Sequence, residues 1–230
     1  MYNFANYMME EFVVFGKIEY LNLLPFHLFM KRFTRSSQQS MSMDYYKDVP
    51  AKTNKKFLSR KVDAAFISSI RAKNQKYVNL GIIAKKEVLS VLVAPSETNT
   101  QDSESETSNL LAKILHVKGE VLIGDKALRH YLQNKPHVDL AKLWHEKYKL
   151  PFVFALLCYH NDKALYKKIE KNFLKTKIKI PRYILREASM RTGISQENIL
   201  NYLKYISYNF DKKAKNGLEK FYKEVKNGSR

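Results

Sequence analysis

Five short polar islands interrupt the apolar runs of this 230-residue chain, and their residue types define the chemistry on offer. Asn22 stands inside Tyr20-Leu21-Asn22-Leu23-Leu24-Pro25. Ser68 and Ser69 close the run Val62 to Ile70, Ser90 lies within Val88 to Pro95, Ser105, Thr107 and Ser108 precede Leu110-Leu111, and Gly124-Asp125 follows Glu120 to Ile123. A carboxamide, hydroxyls and backbone N–H groups are neutral hydrogen-bond donors and acceptors. Gathered in one place they can orient an oxygen-rich anion and stabilise charge that develops on an oxygen. Taken singly, each is equally a turn or cap residue. Asn22 differs, because a carboxamide walled by Leu21, Leu23, Leu24 and Pro25 must find partners or cost roughly 1 to 3 kcal/mol.

Other chemistries lack their parts. There is no glycine-rich phosphate loop, no His-Glu-x-x-His, no cysteine pair and no Gly-x-Ser-x-Gly elbow. The six histidines are scattered, with His130, His137 and His145 in or beside amphipathic helices. The single Cys158 cannot form an internal disulfide and reads as a small buried hydrophobe in a reducing compartment.

The elements that must position these residues alternate between strand and helix. Glu11 to Leu21 reads as a strand, and Pro25 suits the first turn of a helix carrying Phe26, Phe29, Met30 and Phe33. Val49 to Arg60 reads as a helix, Val62 to Ile70 as a buried strand, and Val88 to Pro95 as an apolar run covered on both faces. Ser96 to Asn109 holds four acids and no base, the composition of a linker, although Ser105, Thr107 or Ser108 can also cap the helix that follows. Then come the strand Glu120 to Gly124, a helix for which Asp125 is a candidate N-cap, the helix from Asp139 to Tyr148, and the strand Pro151 to Leu157. The rest reads as helical. Ser195 caps Gly193 to Phe210, with Ile194 and Ile199 as a staple and Leu200, Leu203 and Ile206 facing inward, and Leu218, Phe221, Tyr222 and Val225 line a last helix ended by Asn227-Gly228.

A chain this long buries roughly 70% of its unfolded surface, and 45% hydrophobic residues suffice for a core. The start, Met1 to Gly16, has no basic n-region or apolar stretch of signal-peptide length, which predicts a cytoplasmic protein, and no run approaches a membrane span. The net charge of +19 is dispersed over lysines such as Lys55, Lys56, Lys85, Lys86, Lys167 and Lys168 rather than gathered in a patch, which favours solvated faces over nucleic-acid binding and leaves room for attracting a small anion.

Five segments in order, Tyr20 to Phe26, Val62 to Ile70, Val88 to Leu92, Leu122 to Leu128 and Leu150 to Ala155, together resemble chorismate dehydratases of the futalosine route to menaquinone. The resemblance implies an α/β, two-lobe fold like that of type II periplasmic binding proteins, with a reduced second lobe. Residues 1–94 and 152–230 would form the larger lobe and 95–151 the smaller, with Val88 to Ala94 and Phe152 to Leu157 as the crossing strands. It implies removal of water from chorismate to give 3-[(1-carboxyvinyl)oxy]benzoate without a metal or organic cofactor, Asn22 and Ser90 nearest the chemistry, and Ser68, Ser69, Ser105, Thr107, Ser108, Gly124, Asp125 and Phe152 in the substrate site. Where the family pattern resembles Ser-Arg-Thr-Ser this chain has Ser105-Glu106-Thr107-Ser108, so Lys126 or Arg129 would have to supply the missing cation. A related reading is the 1,4-dihydroxy-6-naphthoate synthase of the same pathway, and one from another class is a non-catalytic binder of small anions.

Overall fold

The computed structural model describes residues 13–36 and 43–228, so most of the Met1 to Gly16 segment lies outside the described residues. Strands β1 (Val13–Lys17), β2 (Met43–Lys47) and β3 (Ala64–Ser68) alternate with helices α1 (Leu24–Ser36) and α2 (Pro50–Leu58), and α3 (Ser69–Ala72) follows β3. β1 pairs in parallel with both β2 and β3. The chain thus winds to one side of β1 and then to the other, and the carboxyl end of β1 is a switch point of the kind where α/β sheets bind ligands. Two turns of the chain meet there: a 3-10 turn, Leu21–Leu23, leads from β1 into α1, and Pro25 occupies the first turn of that helix, where its missing N–H is harmless.

The sheet is completed by antiparallel strands in the order β2-β1-β3-β8-β4-β9, where β4 is Tyr77–Ala84, β8 is Phe152–Tyr159 and β9 is Ile206–Asn209. β4 goes unsignalled in the sequence because Asn79 and Gly81 interrupt its apolar residues. A second sheet, β6-β5-β7, contains β5 (Val91–Ala94), β6 (Glu120–Ile123) and β7 (Val138–Asp139) and packs with α4 (Glu106–Ile114), α5 (Gly124–Leu132) and α6 (Leu140–Tyr148). Helices α7 (Lys163–Lys175), α8 (Arg182–Thr192), α9 (Gln196–Leu203) and α10 (Lys212–Asn227) complete the described chain. None of the described helices is long and apolar enough to cross a membrane.

Several expectations are corrected. Val91–Ala94 pairs only within the smaller sheet and Phe152–Tyr159 only within the larger. Neither strand crosses, and the passages between sheets are the segments 85–90 and 149–151. The helix expected up to Phe210 stops at Leu203, because β9 pairs with the free edge of β4. Leu200, expected to face inward, is 43% exposed, while Ser195 does cap α9 by accepting the Asn198 N–H. The acidic segment is no free linker: Thr100 bridges to Glu120, and the Asp102 backbone N–H and carbonyl are both bonded to the Asn109 side chain. Cys158 is buried in β8, and burial pushes its thiol up, away from reactivity.

The second passage is pressed against α10. A Cβ on Gly217 would stand 2.1 Å from the Pro151 carbonyl oxygen, which explains a glycine in mid-helix despite its propensity cost. Gly217→Ala should lower the melting temperature by on the order of 5 °C through overpacking, as followed by circular dichroism. An unchanged melting temperature would show that α10 can slide away from the passage.

Candidate active site

A cleft of about 80 Å³ opens where the carboxyl ends of β1 and β3 face the smaller sheet. Asn22, Ser68, Ser90, Ser105, Ser108 and Gly124 all line it, among Ile18, Leu23, Phe66, Ile82 and Ile123. The N-terminal turns of α4 and α5 start at the edge of this cleft, with Ser105, Ser108 and Gly124 in its lining, and their positive helix ends favour anions there. The same loop, Gln101 to Glu106, also walls an open groove of about 920 Å³. That groove is larger, but its Arg71 and Glu106 pair with each other at 2.6 Å at the surface, whereas the small cleft gathers desolvated polar groups.

Hydrogen bonding settles which way the hydroxyls face. Asn54 grips Ser68 at both ends, its Oδ1 accepting the Ser68 N–H (3.1 Å) and its Nδ2 donating to Oγ (2.8 Å). The Ser68 proton is therefore free to donate elsewhere. Ser90 Oγ receives the Tyr202 hydroxyl at 2.8 Å, and the Asn22 side chain lies beside that hydroxyl. Burial pushes the Tyr202 phenol up, so it stays protonated and remains a donor. The outcome is a cluster of Asn22, Tyr202 and Ser90 in which the Tyr202 bond leaves the Ser90 proton for the cleft. Asn22 Oδ1 is buried with no partner in the protein, an acceptor left for a bound molecule. The Asn22 carbonyl is fixed by the Tyr208 hydroxyl at 2.6 Å.

The rim is closed by contacts between the two sheets. Tyr20 donates to Glu104, Asp125 accepts the Leu21 N–H at 3.1 Å, and Thr107 Oγ1 accepts the Ile70 N–H at 3.2 Å. The Tyr20 ring lies so close over Gly124 that a Cβ there would meet it at 2.8 Å, and Gly124 also has a positive φ of 60°. Burial, with Glu104 next, pushes the Tyr20 phenol up.

Four of the expected site residues stand back from the cleft. Ser69 is fully buried and donates to the Val153 carbonyl. Thr107 serves the contact between sheets. Asp125 is no N-cap, since α5 begins at Gly124, and its carboxylate holds the Leu21 N–H and Arg191 (3.2 Å). Burial pushes that carboxyl up, while the Leu21 N–H and Arg191 pull it down. Phe152 is packed on Trp144 and Phe221 in the core, and Phe154 lines the cleft in its place. The cause is a bulge: Ile82 and Ile83 of β4 are adjacent but face Ala155 and Val153, so Phe154 is the extra residue and is re-aimed.

The expected cations are also committed. Lys126 pairs with Asp102 at 2.5 Å and Arg129 donates to the Thr192 carbonyl at 2.8 Å. Among the described residues no lysine, arginine, histidine, aspartate or glutamate lines the cleft. No group of described residues is arranged to hold a metal ion. Tyr20, Phe154 and Tyr202 are the site residues that the sequence alone does not reveal. Only the spacing of Tyr202 from Ile199, on the buried face of α9, hints that its ring points inward.

These features have counterparts in known proteins. A family model described as menaquinone biosynthesis matches residues 13–119 and 115–227. A chorismate dehydratase of Campylobacter jejuni is 46% identical over 218 residues, covering 93% of this chain and 98% of that protein. In fold the chain is similar to protein AF1704 of Archaeoglobus fulgidus (TM-score 0.71, 14% identity, 95% of this chain and 98% of the other). It is also similar to the Candida albicans CA3427 product, which has the generic periplasmic binding protein fold (TM-score 0.53, 12% identity, 94% and 90%). A binding-protein-like α/β fold, a cleft at its switch point and a match along nearly the whole described chain converge: the protein belongs to the menaquinone-biosynthesis family.

Proposed function

We propose that this protein is a cytoplasmic chorismate dehydratase, removing water from chorismate to give 3-[(1-carboxyvinyl)oxy]benzoate. The observation that carries the reading is the cluster of Asn22, Tyr202 and Ser90, with a buried unpartnered acceptor on Asn22 and a hydroxyl proton on Ser90 that the Tyr202 bond leaves free. In the reaction the ring C–O bond breaks and its electron pair leaves with the oxygen. A proton is lost from the neighbouring ring carbon, and the C–H electron pair completes the aromatic ring. Ser90 donates to the departing oxygen and Asn22 Oδ1 accepts from that same hydroxyl, holding it in place. We take the base to be a carboxylate of the substrate itself, which takes the ring proton, and the departing oxygen takes up one proton in turn, so that it leaves as water and the carboxylate is restored; no carboxylate or imidazole is among the described residues that line the cleft. The substrate carboxylates are met by Ser68, Ser105 and Ser108 and by helix N-terminal N–H groups rather than by an arginine. The Asn22 motif weighs against the dihydroxynaphthoate synthase reading.

At about 80 Å³ the cleft is below the roughly 300 Å³ at which ligand pockets begin, so capture requires the lobes to part about the passages at 85–90 and 149–151. The dispersed positive charge attracts the dianion without selecting nucleic acid. The test is incubation of purified protein with chorismate, followed by chromatography and mass spectrometry. A product lighter by one water and aromatic in its absorbance is expected, and unconverted chorismate in the presence of folded protein would overturn the reading. Tyr202→Phe should lower kcat about tenfold with KM little changed, since Ser90 keeps its place but loses the donor that directs its proton, at a stability cost of about 1 kcal/mol. Undiminished kcat would remove Tyr202 from the cluster.

A further inference from the structure

We propose that Asp139 is the positioning residue that fixes Ser90 in the cleft, by locking the first passage between the sheets in its left-handed turn. Asp139 ends β7 opposite Leu92 of β5 and is only 8% exposed. Its carboxylate accepts four backbone N–H groups. Oδ1 takes Ala141 (2.9 Å) and Lys142 (3.0 Å), the ordinary cap of α6. Oδ2 reaches out of the helix to Val88 (3.0 Å) and Leu89 (2.8 Å), both buried. A helix cap needs only the first pair; the second serves the passage.

Leu89 shows why that passage must be held. Its φ of 62° lies in the left-handed region, which is unfavourable for a leucine and persists only where the surroundings impose it. Ser90 follows at once, and its carbonyl accepts the Gly124 N–H at 2.8 Å. The chain is therefore pinned on both sides of Ser90, by Asp139 before it and by the N-terminus of α5 after it. The helix that Asp139 caps ends at Lys149, itself left-handed (φ 56°) and the first residue of the second passage. One carboxylate thus ties the turn before Ser90 to a rod whose far end is the other passage, so the setting of Ser90 follows the relative placement of the two sheets.

This inference rests on Ser90 donating to the departing oxygen. Its test is Asp139→Ser, which keeps a preferred N-cap hydroxyl for α6 but is too short to reach Val88 and Leu89. Turnover of chorismate per folded molecule should fall 10- to 100-fold through kcat, with KM little changed, because a displaced donor costs rate rather than binding. A full kcat per folded molecule, whatever the melting temperature, would overturn the proposal, since a cap acts on stability alone. Should the variant not fold, hydrogen exchange of the wild-type chain decides: the Val88 and Leu89 amides should exchange as slowly as those of β5, and exchange at the rate of an exposed loop would overturn the clamp. Wild-type protein that leaves chorismate unchanged would count against the dehydratase reading, while the exchange measurement would still read the clamp.

Discussion

Asn22→Leu is expected to leave a folded protein whose turnover of chorismate is lower by on the order of 10², the usual cost of misplacing a reacting group, here the leaving hydroxyl once it loses the acceptor that orients it toward Ser90. The structure explains why stability should survive. Asn22 Oδ1 is already without a partner, so the wild-type side chain carries a desolvation cost that leucine lacks. Leu21 and Leu23 beside it are buried, and the turn itself is held through the backbone, by the Tyr208 hydroxyl on the Asn22 carbonyl and by Asp125 on the Leu21 N–H. Tyr202 keeps its bond to Ser90. Thermal melting and steady-state kinetics on one preparation decide the matter. A lower melting temperature with normal turnover would mean that Asn22 is a turn residue and no part of the chemistry.

The second large effect concerns stability against pH. His27 is half-buried one turn into α1, its Nε2 2.8 Å from the Ile18 carbonyl and its buried Nδ1 without a partner. Burial pulls the imidazole from its ordinary 6.5 down to about 4, with Lys17 adding to the fall and the Ile18 carbonyl and Glu19 opposing it. The unfolded chain therefore takes up a proton at this residue before the folded chain does. Its stabilising contribution is complete above about pH 6.5 and is lost as pH falls to about 4, amounting to about 3 kcal/mol. His27→Gln retains an amide donor but cannot titrate. Urea unfolding should show the variant less stable than wild type at pH 7, with the gap narrowing by about that amount at pH 4. Parallel stability curves for the two proteins would show that His27 titrates alike in both states.

How far the sequence discloses this molecule depends on whether a feature is local. Asn22, Ser68 and Gly124 are legible because each follows an apolar strand, and the ends of parallel strands β1 and β3 face the cleft by the geometry of the fold, while Ser90 is legible as the polar residue inside an apolar run and stands just before β5. Ser105 is legible as a cap, and it does accept the Ser108 N–H at 3.2 Å. Tyr202 is not, because its hydroxyl meets Ser90 across 112 residues of chain and nothing near it in sequence is polar for the same purpose. The exchange of Phe152 for Phe154 is hidden for another reason. Both lie at even spacing on one strand, and only the register slip against β4 separates their faces. The passages between sheets were misplaced because β5 is apolar on both faces, so composition cannot say which sheet owns it.

The lack of cationic side chains along the cleft carries a consequence for what the site will refuse. A carboxylate bears one charge spread over two oxygens and can be matched by a few hydroxyls and N–H dipoles. A phosphate monoester bears close to two charges on one group, and its desolvation cost rises roughly with the square of that charge, which hydroxyls and N–H dipoles offset less well than a lysine or arginine does. A cleft lined by lysine or arginine would bind both and prefer the phosphate. If the cleft takes the dicarboxylate proposed above, its lack of lysine and arginine is expected to make sugar and nucleotide phosphates weak competitors, read as inhibition constants well above the KM for chorismate, so that discrimination lies in what the lining leaves out as much as in what it holds.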